Sequence, residues 1–140
     1  MRDLLLILML APPAIALLGM FLLRMQAGGF LKAVPEIRTR DDLVQFKRLA
    51  KIQMYVALVT LPLLWLPTLV WLVGTFLIAE VGWLDLLWYV VLPWMVVVAA
   101  ASALSGPVER VQKLPAGDPS FQAERDHIVD VWLNRRLPDW

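Results

Sequence analysis

The chain's one histidine follows a glutamate by three residues, in Glu124-x-x-His127. On a helix this spacing sets a carboxylate and an imidazole on one face, as in the metal-binding pairs of di-metal helix bundles. Such a site needs a second pair of the same kind and further glutamates from other helices. With one histidine in 140 residues that set cannot be assembled. Asp126 and Asp130 lie beside it, so a solvated or ion-paired imidazole is expected rather than a proton-transfer catalyst. Ser102 and Ser105 have no base in the same stretch to activate a nucleophile. Gly28-Gly29 lacks the lysine and hydroxyl residue of a phosphate loop. The sequence contains no cysteine, which removes disulfides, thiolate metal sites, a thiol nucleophile and a lipid-carrying cysteine. The reading is therefore of a chain that is not an enzyme and that carries no metal or cofactor.

The charges point to surfaces. Glu80 and Asp85 are the only ionisable side chains between Lys51 and Glu109, apart from tyrosines. They read as the acids of a water-exposed turn, because a transporter holds its coupled charge near the bilayer midplane. Lys47, Arg48 and Lys51 follow Arg38 and Arg40 in a basic stretch diluted by Glu36, Asp41 and Asp42. With that dilution and no aromatic stacking platform interleaved, this is a poor nucleic-acid surface. It suits anionic lipid headgroups, each basic side chain contributing about 1 kcal/mol, so Lys47, Arg48 and Lys51 are the expected lipid contacts.

What must position these residues is a membrane protein. Hydrophobic residues make up 60% of the chain and the mean hydropathy is +0.69, whereas soluble domains hold roughly 45 to 50% apolar residues. An ionised group at the bilayer centre costs roughly 2.5 to 3.5 kcal/mol on insertion scales, and a chain this short cannot bury long uncharged runs in a soluble core. The fold expected is an all-α integral membrane protein with three transmembrane helices and cytoplasmic amphipathic helical segments. Residues 1–23 form the first span, and residues 52–106 form a helical hairpin of spans 52–79 and 86–105 about a turn at 80–85. Residues 24–51 form a loop with a basic amphipathic helix, and residues 107–140 a tail with a second one. The positive-inside rule puts loop and tail in the cytoplasm and the N-terminus outside, leaving only Arg2 of the 13 Lys/Arg on the outer face. Ala14-Ile15-Ala16 matches a signal-peptidase pattern, but the apolar run continues to Leu23, so an uncleaved span is expected. The host membrane is read as a bacterial inner membrane or an internal energy-transducing one.

Local signals refine this plan. Pro12-Pro13 should kink or break the first helix, and the carbonyls it frees should turn that face toward protein. Gln26-Ala27-Gly28-Gly29 should open the loop flexibly. Thr39 with Asp42 starts a helix near Arg40, with Leu43, Phe46, Leu49 and Ala50 on its apolar side, and either continues into span two or bends there. Pro62 and Pro67 should kink that span. Trp83, Trp88 and Tyr89 suit the headgroup level, while the deeper Trp65, Trp71 and Trp94 should serve helix packing. Ala99 with Ala103, and Ser102 with Gly106, are small residues four apart, the spacing for close helix packing, first of all within the chain. Gly106-Pro107 and Leu114-Pro115-Ala116-Gly117 are breaks. Asp118 is an N-cap ahead of Pro119, opening a helix to about Asn134 that collects Phe121, Ile128, Val131 and Trp132, with Glu124 and Arg125 interrupting.

Surfaces without chemistry suggest a non-enzymatic accessory subunit or assembly and scaffold factor of a larger membrane complex. Membrane lipid and other membrane subunits are its expected partners, and Leu43, Phe46, Trp132 and Trp140 its cytoplasmic docking residues. The alternative is a homo-oligomeric channel or small-molecule carrier with Ser102 and Ser105 lining the pore.

Overall fold

A computed structural model describes residues 1–140. It is all-helical: α1 (Arg2–Ala33), α2 (Arg40–Phe76), α3 (Trp83–Leu104), α4 (Gly106–Gln112) and α5 (Pro119–Asn134), with no strands. Helices α1, α2 and α3 are each long and apolar enough to cross a membrane. Within α3, one α turn at Trp83–Leu86 passes through a π turn at Leu87–Val91 before the α-helix resumes at Leu92–Leu104. The chain forms two compact units, Met1–Met20 with Val59–Ala103 and Phe21–Leu58 with Leu104–Trp140.

In the first unit Leu5, Met9, Ala16, Trp71, Val81, Val90, Trp94 and Val97 form the core. Pro12 and Pro13 do not break α1, which stays helical through both. They are buried, as befits a face whose backbone has lost donors and must meet protein. Helix α2 stops at Phe76 rather than near Ala79, because its last carbonyls are taken by the reversing chain. The N–H groups of Leu77 and Ile78 donate to Val73 O at 3.0 and 3.2 Å, and Glu80 N–H donates to Gly74 O at 3.1 Å. Ala79 supplies the left-handed residue of this reversal, with φ 58°. Gly74 is required for its tightness, since a Cβ there would lie 2.7 Å from Val81 Cγ2. The turn thus falls at residues 77–82, a little earlier than residues 80–85.

The second unit has its own core of Ala27, Val34, Ile37, Leu43, Phe46, Leu49, Ala50, Met54, Val111, Leu114, Ile128, Val131 and Trp132. Gln26 to Gly29 are not a flexible opening. Helix α1 continues to Ala33, and Ala27 is fully buried, so core contacts outweigh the roughly 1 kcal/mol that each helical glycine costs. The start of α2 is capped as its sequence suggests: Asp42 N–H donates to Thr39 Oγ1 at 3.2 Å and Thr39 N–H to Asp42 Oδ2 at 3.0 Å. No break follows Lys51, and the amphipathic segment and the apolar run from Ile52 are one helix. Gly106-Pro107 ends α3 and at once begins α4, proline fitting the first turn of a helix as well as it stops one.

Helix α5 opens where Asp118 accepts from Ser120 N–H at 2.9 Å. Those N–H and hydroxyl donors hold the Asp118 carboxyl below the usual carboxylate range. Arg125 interrupts the apolar stripe of α5 for a structural reason. Its guanidinium donates to Leu114 O at 3.0 Å and Gln112 O at 2.8 Å, closing the C-terminal end of α4. The connections at residues 34–39 and 113–118 are tied by an isolated bridge, with Ile37 N–H donating to Pro115 O and Gly117 N–H to Ile37 O.

Candidate functional site

The expected docking residues Leu43, Phe46 and Trp132 are core residues. Phe46 is 0% exposed, with its ring centroid 6.0 Å from Trp132 in an edge-on pair and 6.4 Å from Phe30. The apolar stripes of α2 and α5 pack against each other, so Leu43, Phe46 and Trp132 lie in the core of the second unit rather than on its surface. Trp140 also turns inward. It is half-buried against the same core, Lys47 Nζ lies 5.3 Å from its ring centroid, and its buried indole N–H finds no acceptor within the chain. Lys47 is thereby engaged, while Arg48 and Lys51 remain exposed.

The residues that could do chemistry are dispersed into structural roles. Glu124 accepts from Arg40 at 2.8 Å, and His127 Nε2 lies 3.4 Å from Asp139 Oδ1. Asp85 is not a solvated turn acid. It is 9% exposed, accepts from Gly82 N–H at 2.8 Å and pairs with Arg2 at 3.1 Å. Ser102 Oγ donates back to Val98 O at 3.3 Å. Trp71 satisfies its indole by donating to Gly82 O at 3.0 Å.

Ala99, Ala103 and Ser102 are exposed and Gly106 is half-exposed, so the small-residue face is not consumed by packing within the chain. Ala99 instead lines a groove of about 600 Å³ in the first unit, walled by Trp65, Thr68, Val90, Trp94 and Val98 among others. Trp65 is 64% exposed at its edge. Trp94 is 9% exposed, with a buried Nε1–H that has no acceptor in the chain. The π turn contributes Val90 and Val91 to the wall, in keeping with the tendency of such turns to mark functional places. The groove holds no acid, base or nucleophile. Its lining is that of an apolar seat, with Thr68 as its one hydroxyl. Sequence reasoning did not find it, since neither the π turn nor the meeting of Trp65 with Trp94 has a local signature.

A second groove, of about 500 Å³, lies in the other unit between the end of α1 and the start of α2. It combines apolar side chains with Gln26, Gln45 and Arg48.

Comparisons with protein-family models, with curated proteins and with solved structures find nothing that matches this chain. The class defined by the fold is an all-helical chain with three helices able to cross a membrane.

Proposed function

We propose that this chain is an integral membrane accessory subunit or assembly factor without catalytic activity, and that its first unit receives a transmembrane helix of another subunit. The observation that carries this reading is the groove beside Ala99, which is apolar and edged by the exposed Trp65. Small exposed residues let a second backbone come close. A helix arriving there covers the apolar wall, Trp65 included. The engagement of Glu124, His127, Asp85 and Ser102 in ion pairs, caps and backbone contacts supports a structural role over chemistry.

The test is the native mass of the gently solubilised chain with its co-purifying polypeptides identified, for wild type and for Ala99→Leu/Ala103→Leu, with a photo-crosslinker at Trp65. The expected result is a stoichiometric hetero-complex, a crosslink to a membrane helix of the partner, and loss of both in the leucine variant. A homo-oligomer unaffected by the leucines would overturn the reading and direct attention to flux assays.

A further inference from the structure

We infer that the groove of the second unit binds an anionic phospholipid of the surrounding membrane, with Arg48 as the phosphate ligand. Three observations converge on it. The polar side chains of the lining are Gln26, Gln45 and Arg48, with no carboxylate among them. Arg38, Arg40, Arg125 and Arg135 each pair with a carboxylate of the chain, but none lies within ion-pair distance of Arg48. Of the acids nearby, Glu36 is committed to Arg38, Asp42 to the cap of α2 and Glu124 to Arg40, while Asp41, two turns before Arg48 on α2, makes no ion pair with it. The groove therefore presents an exposed guanidinium and two amides to an anion, the fork geometry that suits a phosphate.

The floor specifies the rest of the ligand. Phe30, Leu49 and Ile52 line the same groove, and a free phosphate gains nothing from apolar walls. An amphiphile with a charged head and an acyl chain uses both. The position agrees, because Arg24 is the first charge after the uncharged run 4–23 and Lys51 the last before the run that begins at Ile52. Residues between these marks belong at the depth of headgroups. Lys47, engaged with Trp140, is not part of the site. This inference is independent of the docking proposal for the first unit.

The whole chain, purified and returned to nanodiscs of phosphatidylcholine with about one-fifth phosphatidylglycerol, gives the test by native mass spectrometry. Wild type should retain phosphatidylglycerol in preference to phosphatidylcholine. Arg48→Gln should lower that preference about fivefold, the worth of one basic side chain at an anionic surface, and Arg48→Lys should restore part of it. Gly29→Leu keeps every charge but fills the groove from a helical position where an added Cβ meets nothing within 4 Å, and it should abolish retention with the helical content unchanged. Arg110→Gln, outside the groove, should behave as wild type. Retention equal to wild type in both Arg48→Gln and Gly29→Leu would overturn the site. Displacement of the lipid by soluble glycerol phosphate at comparable concentration would overturn the acyl-chain seat.

Discussion

Replacing Phe46 with alanine separates a core from a docking surface. The ring is fully buried between Phe30 and Trp132, and truncating a buried phenylalanine costs about 3 to 5 kcal/mol through lost transfer energy and the cavity left behind. Stability of a whole domain is only about 5 to 15 kcal/mol, so the second unit should lose a large share of its own. A loss of 3 kcal/mol multiplies the open population by more than about a hundred. Amide hydrogen exchange on the solubilised full chain reads this directly. The amides of Ile128 and Val131, buried on α5 opposite Phe46, should exchange faster by that factor. Val44→Ala, at an exposed position of the same helix, should stay within about 0.5 kcal/mol of wild type. Trp132→Ala should act like Phe46→Ala, and the double variant should cost less than the sum, since the ring pair itself is lost only once. If Phe46→Ala released a co-purifying subunit while leaving protection of Ile128 and Val131 unchanged, the assignment of this stripe to the core would be wrong.

Two further outcomes follow from the turns. Ala79→Gly should stabilise the first unit by about 1 kcal/mol, because alanine at φ 58° carries a strain that glycine avoids; a lower melting temperature in detergent would refute this. The Asp118 carboxyl is held below its ordinary value by Ser120, so its cap is intact above the ordinary carboxylate range and fails as pH falls through the lower folded value. Helical NMR shifts at Ser120 to Ala123 should therefore fade in acid for wild type but not for Asp118→Asn, which keeps the acceptor without titrating; identical profiles would exclude the carboxylate as the cause.

The apolar runs, the caps at Thr39 and Asp118, and the paired stripes Leu43/Phe46/Leu49 and Ile128/Val131/Trp132 were legible in the sequence because each depends on neighbours within a turn or two of one helix. What those stripes face was not legible. Two amphipathic segments look the same in sequence whether each seeks a partner or they cover each other, and α2 and α5 do the latter. Arg125 looked like an interruption because the carbonyls it serves belong to Gln112 and Leu114 on another element. The candidate grooves were illegible for the same reason: Trp65 and Trp94, or Gly29 and Arg48, meet only through tertiary structure. Single residues were anticipated, Arg48 from its charge and Ala99 from its small size and spacing, but not the grooves they line.

The buried positions of α3 run Asp85, Val90, Trp94, Val97. Steps of four and three keep to one side of an α-helix, but a step of five would carry Val90 about 140° away from Asp85 at 100° per residue. The π turn at Leu87–Val91 takes up the surplus residue, so that the acid paired with Arg2 and the indole of the groove face the same interior. This helix can therefore change length by one residue at this place without turning its faces. A relative of this chain one residue shorter between Leu86 and Val90 should align with a gap inside its equivalent of α3, and should keep its equivalents of Asp85 and Trp94 on the inner side.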